Sequence, residues 1–159
     1  MSDFRFIIDV PVKNQWESVE LLRSSVQNCF AAVFRRIEGA DALAMVTGEL
    51  LENAIKHGHW TGEDGIFRLR VWGDSSSGNV SVTNPVRAGE HPEKLYETLR
   101  WIDGFANAAD AYRARLVEVA RPGQPGGGLG LVRIAYEGGC RIKAEIEGST
   151  LCVTARRGA

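Results

Sequence analysis

Apolar and polar residues alternate at the start of the chain and then recur at helical spacing. Phe4–Val10 places apolar side chains at every second position and then meets Pro11, which predicts a first strand that ends at the proline. From Ser18, a capping residue, apolar positions recur every three or four residues and predict a first helix to about Ile37. The apolar positions of this helix are Val19, Leu22, Val26, Phe30 and Val33.

A second helix is predicted between Gly39 and Gly58, with Asp41 as its cap. Its apolar stripe is narrow and regular, which indicates that one side faces a core. The stripe consists of Leu43, Val46, Leu50 and Ala54.

The rest of the chain contains two pairs of short strands with helical segments between the pairs. A polar loop separates two short strands and predicts a hairpin. A glycine-rich stretch leads into a short helix, and two further strands close the chain as a second hairpin. The predicted segments are strands at Ile66–Trp72 and Asn79–Thr83, a helical region at 92–120 that Gly104 breaks, a helix at Leu129–Tyr136, and strands at 140–147 and 150–156.

This order of elements predicts an α+β fold rather than an alternating βαβ fold. A chain of 159 residues with 44% hydrophobic content can bury one core, so we expect a single domain over residues 1–159. The glycines follow a helical stretch and no Lys-Ser/Thr pair comes after them, which excludes the Rossmann and P-loop patterns.

Composition and charge limit the classes of partner that the protein can bind. Nineteen basic residues against 20 acidic ones give no positive excess that would hold nucleic acid. No apolar run reaches the roughly 20 residues of a membrane span, and the N-terminus lacks a signal-peptide pattern, so we expect a cytoplasmic protein that is not bound to a membrane. The three cysteines, Cys29, Cys140 and Cys152, are expected to be reduced thiols.

One side of the second helix carries candidate chemistry. Glu49, Asn53 and Lys56 stand at i, i+4 and i+7 and share a face, with His57 at its margin. The amide oxygen of Asn53 is a hard ligand suited to Mg²⁺, and the carboxylate of Glu49 can accept a proton. The alternative is a solvated helix face with an ordinary Glu52–Lys56 pair.

Glycines crowd before the predicted helix at 129–136. Backbone N–H groups point outward at a helix start, and glycines let a phosphate approach them without a Cβ in the way. This predicts an anion cradle, with a flexible connector as the alternative. The glycines are Gly126, Gly127, Gly128 and Gly130.

Together, the E-x-x-x-N helix and the G-x-G-L-G loop resemble the N-box and the final glycine box of GHKL (Bergerat-fold) ATPases, a group that includes histidine-kinase ATPase domains. The stretch ELLENAIKHG and the opening strand and helix look most like those of the anti-sigma-factor serine kinases. The resemblance covers essentially the whole chain. It implies a single-domain Bergerat sandwich, with a mixed, mostly antiparallel sheet, helices on one face, and ATP held between the second helix, the glycine lid and the sheet.

The resemblance also implies roles for individual residues. Glu49 matches the catalytic base, Asn53 matches the magnesium ligand, and Lys56 and His57 fall where phosphate-side polar groups stand. The lid positions are Gly126, Gly128, Leu129 and Gly130.

The middle motif departs from the family pattern. Asn84 stands where the family has an aspartate for the adenine amine, and Val86 stands where it has a glycine beside the ring. Losing the charged acceptor costs about 1 to 2 kcal/mol, or roughly tenfold in affinity.

The first functional hypothesis is therefore an ATP- and Mg²⁺-dependent serine/threonine kinase that acts on a regulatory protein, either a sigma factor or an anti-anti-sigma-like protein. The second is a binding module that kept the fold, lost efficient nucleotide use and sequesters a regulatory partner. A nucleotide hydrolase without a protein substrate is a weaker third. The sequence leaves open whether the chain forms a homodimer.

Overall fold

The computed structural model describes residues 4–10, 16–34, 37–59, 67–74, 76–87, 89, 91–123 and 128–158. Within these ranges the chain forms five strands and five helices, which is the α+β class that the element order predicts. In chain order the elements are β1 (Phe4–Val10), α1 (Trp16–Phe34), α2 (Ile37–His57), β2 (Phe67–Gly73), β3 (Gly78–Pro85), α3 (Glu93–Asp103), α4 (Ala108–Val119), α5 (Leu129–Tyr136), β4 (Cys140–Glu147) and β5 (Thr150–Arg157).

The strands form one sheet in the order β1-β2-β3-β5-β4. All four neighbouring pairs are antiparallel, so the sheet is not the mixed one that the family resemblance implied. Two of the four pairs, β2–β3 and β4–β5, are hairpins, and a hairpin can only be antiparallel. Both hairpins were predicted from the sequence.

The hydrophobic core lies between the sheet and α2. Buried and more exposed residues alternate along β2 and β5, which gives the sheet one apolar face that the helices cover. The predicted stripe of α2 is buried against this face, and α2 packs on β3. The stripe and its strand partners are all less than 5% exposed: Leu43, Val46, Leu50, Ala54, Phe67, Leu69, Val71, Val80 and Val82.

The boundary between α1 and α2 differs from the prediction. The first helix ends at Phe34 and the second begins at Ile37, so Asp41 lies inside α2 and does not cap it. The Asp41 carboxylate instead accepts a hydrogen bond from Nε2 of Gln27 on α1. Val33, expected in the buried stripe, is 52% exposed, because the contact between the two helices is made by earlier positions such as Val26 and Phe30.

The helical region at 92–120 is two helices, α3 and α4, separated near Gly104 as predicted. Asn107 caps α4 by accepting the backbone N–H of Asp110 at 3.0 Å. The Arg115 guanidinium lies 4.4 Å from the centre of the Trp101 ring, a cation–π contact that ties α4 to α3.

Cys29, Cys140 and Cys152 are free thiols, as expected. In the described ranges, no helix combines the length and the apolar character that crossing a bilayer requires.

Candidate functional site

The polar side of α2 meets the start of α5. Glu49 and Asn53 stand one turn apart on α2, and the Glu49 side chain is 17% exposed. Gly130 lies against both residues: a Cβ built on it would stand 2.6 Å from Oε2 of Glu49 and 3.8 Å from Nδ2 of Asn53. The E-x-x-x-N motif of α2 and the glycine loop before α5 are therefore neighbours in space, although Asn53 and Gly130 are 77 residues apart in the sequence.

Arg133 completes this contact and was not among the predicted site residues. It lies one turn beyond Gly130 on α5, and its Nη1 donates to Oε1 of Glu49 at 2.5 Å. Its Nε and Nη2 donate to Glu137 at 3.2 to 3.4 Å. The only signal in the sequence is the i, i+4 spacing of Arg133 and Glu137, which is common on solvated helices.

Burial raises the pKa of the Glu49 carboxyl, and the positive charge of Arg133 opposes that effect. The pKa of the Glu137 carboxyl is lowered instead, because Arg133 donates a hydrogen bond to it. A carboxylate with a raised pKa is a better proton acceptor than an ordinary glutamate. The environment of Glu49 thus suits a general base once its ion pair is broken.

Lys56 and His57 lie in the last turn of α2 and are exposed to solvent. The charge of Lys56 lowers the pKa of Glu49 only as the smallest of the contributing causes. The structure therefore brings Glu49, Asn53 and Gly130 together and leaves Lys56 and His57 at the solvent side of the helix end.

The glycine loop enters α5 at Gly128, which has φ 80° and ψ 8° and occupies the position before the first helical residue, Leu129. A positive φ favours glycine, because a Cβ strains the left-handed backbone. Gly128, the residue at the N-cap of α5, has no side chain that could cap the helix, and a Cβ on it would meet nothing within 4 Å. Gly126 and Gly127, also predicted for the cradle, lie outside the described residues.

Asn84 is the second-last residue of β3, lies on the same side of the sheet as Val82 and is 2% exposed. Its Nδ2 donates to the carbonyl oxygen of Pro85 at 3.1 Å, so its amide oxygen is oriented away as an acceptor. The same Pro85 oxygen accepts the backbone N–H of His59 at 2.8 Å, which ties the end of α2 to this strand. Val86 is 7% exposed and belongs to the core cluster.

The fit to a magnesium nucleotide differs between the two ends of this region. At the start of α5, uncapped N–H groups, an open Gly128 and the Asn53 amide supply the groups that a phosphate and a hard cation use. At the end of β3, the Val86 side chain is packed where the resemblance calls for open space. The phosphate end fits and the adenine end fits less well.

Comparison with known proteins supports the fold. Neither a protein-family model nor a curated protein matches the sequence. Among solved structures, a chain of the SiaB–SiaC complex from Pseudomonas aeruginosa is similar, with a TM-score of 0.71 and 18% sequence identity. The match covers 97% of this chain and 89% of that chain. At this identity the likeness establishes a shared α+β fold over nearly the whole chain.

Proposed function

We propose that the protein binds Mg-ATP between α2, the start of α5 and the end of β3, and transfers the γ-phosphoryl group to a serine or threonine of a partner protein. The observation that carries this proposal is the approach of Gly130 to Glu49 and Asn53. The Glu49 carboxylate, the Asn53 side-chain amide and the start of α5 lie together there, and phosphoryl transfer uses a proton acceptor, a metal ligand and phosphate-binding donors. The resemblance to GHKL ATPases implies the same assignment.

In this proposal, Glu49 accepts the proton of the attacking hydroxyl, Asn53 holds Mg²⁺ through its amide oxygen, and the N–H groups at the start of α5 bind phosphate oxygens. The bound Mg²⁺ supplies charge stabilisation for the transferred group. The amide oxygen of Asn84 takes the adenine amine. Lys56 and His57 serve at most the solvent side of the phosphates, because both are exposed.

The partner is proposed to be a regulatory protein. The similar chain was solved in a complex of two proteins, SiaB and SiaC, which supports a protein as the binding partner. The resemblance to anti-sigma-factor serine kinases narrows the class to a sigma factor or an anti-anti-sigma-like protein.

A second candidate, a module that sequesters its partner without using nucleotide, is favoured by Val86. This side chain is packed in the core at the position where the family has a glycine beside the adenine ring. A ring placed there would have to displace a buried valine, and overpacking of this kind typically costs about 1 to 3 kcal/mol.

Calorimetric titration with Mg-ATP separates the two candidates. We expect wild type to bind, Glu49→Ala to bind at least as tightly, and Asn53→Ala to lose the magnesium-dependent part of the affinity. A thermal scan at 100 times the dissociation constant should add about 2.7 kcal/mol, or roughly 5 to 10 °C. No heat and no thermal shift for wild type would count against the kinase and favour the binding module.

If ATP binds, Glu49→Ala should slow phosphoryl transfer to the partner by about 10²- to 10⁴-fold. Transfer of label from γ-labelled ATP measures this rate. An unchanged rate of phosphoryl transfer in Glu49→Ala would show that Glu49 is not the general base.

A further inference from the structure

Arg133 lies between two carboxylates that come from different helices. Its Nη1 donates to Oε1 of Glu49 on α2, 84 residues away, while its Nε and Nη2 donate to Glu137, the C-cap residue that follows α5. The Arg133 side chain is 38% exposed and the Glu49 side chain 17%. Glu137 therefore anchors the guanidinium within its own helix, and the bond to Glu49 is the one that joins two elements.

The pair has a chemical consequence for Glu49. A carboxylate oxygen that accepts a charged N–H at 2.5 Å is less available to accept a proton from a substrate hydroxyl. Gly130 lies on the side of the other oxygen, Oε2, so close that a Cβ at position 130 would stand 2.6 Å from it. Residues of α5 therefore lie next to both oxygens of the candidate base.

The guanidinium of Arg133 suits a second ligand equally well. Its planar donors match phosphate as they match carboxylate, and they do so in a bidentate manner. Arg133 is one turn beyond Gly130 on the side of α5 that faces Glu49, so it lies beside the place where the proposed function puts the γ-phosphate. A phosphate that carries more charge than a carboxylate competes for these donors.

We propose that Arg133 is a positioning residue that senses the γ-phosphate: it pairs with Glu49 in the nucleotide-free chain and exchanges that carboxylate for the γ-phosphate when ATP binds. Glu137 holds the Nε side of the guanidinium throughout. The exchange frees Glu49 to accept a proton only when a phosphoryl group is present to be transferred. This inference rests on the proposed function, because it needs the nucleotide site beside α5.

The test compares ATP with ADP, since only ATP carries the γ-phosphate. We expect Arg133→Gln to weaken Mg-ATP binding about tenfold or more, the usual loss for a charged hydrogen bond, and to leave Mg-ADP binding unchanged. Arg133→Lys should restore part of the ATP affinity, since it keeps the charge. Glu49→Gln should strengthen ATP binding alone, because it removes the competing carboxylate.

Arg113→Gln is the matched control. Arg113 is an arginine on α4 with a side chain 75% exposed, and it forms an ion pair with Asp110 at 3.4 Å on the same helix. Its replacement should change neither affinity. Equal weakening of ATP and ADP by Arg133→Gln, or no weakening of either, would overturn the sensing role while leaving the nucleotide site intact.

Hydrogen exchange tests the resting pair without nucleotide. Arg133→Gln and Glu49→Gln should each speed amide exchange in the peptide 129–137, because α5 loses its tie to α2, and should leave the β2 peptide 67–73 unchanged. Unchanged exchange in 129–137 would overturn the resting pair. Wild type that binds neither nucleotide would instead overturn the proposed function, and with it the sensing role.

Discussion

Gly130 on α5 approaches Glu49 on α2 so closely that no side chain fits between them. A Cβ at position 130 would stand 2.6 Å from Oε2 of Glu49, nearer than non-bonded atoms tolerate. The obstacle is the far end of a flexible side chain, so the carboxylate can move aside without unfolding the protein. A glycine here thus fixes where the candidate base stands.

We therefore expect Gly130→Ala to fold, with an unfolding free energy within about 1 kcal/mol of wild type, since alanine favours a helix as the carboxylate shifts. Phosphoryl transfer should fall by up to about 10²-fold, because a displaced base loses its alignment. Urea denaturation and transfer of labelled phosphate measure the two effects. The control is Gly48→Ala on α2, where a Cβ would meet Cδ of Arg23 at 3.1 Å. Equal transfer rates in the two variants would contradict the prediction.

Gly128 makes a separate prediction, because its surroundings are open but its φ is positive. Gly128→Ala should lose about 1 kcal/mol of stability from the left-handed backbone and, in addition, weaken Mg-ATP binding about tenfold. Gly123 provides the match, with φ 83° and also nothing within 4 Å of a Cβ. Gly123→Ala should lose the same stability and keep the affinity. An equal loss of affinity in Gly128→Ala and Gly123→Ala would indicate that the glycine loop is a flexible connector and not a phosphate site.

The order of elements was predictable, because it rests on local periodicity. That α2 and the glycine loop lie together was expected only from the resemblance to GHKL ATPases. The Arg133–Glu49 contact was not, because it depends on how α5 crosses α2, and residues 84 apart give no local signal. Asp41 shows a different failure. A capping residue after a glycine is a strong local pattern, yet α2 packs against α1 and begins at Ile37, four residues before Asp41. The Asp41 carboxylate accepts a hydrogen bond from Gln27 instead of capping the helix.

Asn84 and Val86 illustrate how burial changes a prediction made from a motif. Both are buried at the end of β3, so Asn84→Asp alone places an uncompensated charge in the interior. We expect it to lower stability by about 1 to 3 kcal/mol without nucleotide. Mg-ATP should bind Asn84→Asp/Val86→Gly more tightly than it binds wild type, because the carboxylate gains the adenine amine and the glycine opens space.

The measurement is calorimetric titration of wild type, each single variant and the double variant. Val86→Gly alone serves as the control, since it opens the space without adding the charge. An affinity in the double variant no higher than in wild type would place the adenine elsewhere than beside β3.

The two carboxylates around Arg133 should contribute to stability with opposite dependence on pH. Burial raises the pKa of Glu49 in the folded chain, so its favourable contribution is full below the ordinary glutamate pKa of about 4.3. That contribution is lost as the pH rises through the folded pKa. The Arg133 hydrogen bond lowers the pKa of Glu137, so its contribution is present above the ordinary value and is lost as the pH falls through the folded pKa.

Urea denaturation of wild type, Glu49→Gln and Glu137→Gln between about pH 3 and pH 7 measures both effects. The stability of wild type relative to Glu49→Gln should fall with rising pH, and relative to Glu137→Gln it should rise. Each variant is the other's control, because both lose one carboxylate next to the same guanidinium, and Glu52 and Lys56 act on Glu49 unchanged. Slopes of the same sign would show that Arg133 holds Glu49 more strongly than burial destabilises its charge, and the candidate base would then be an ordinary ion-paired glutamate.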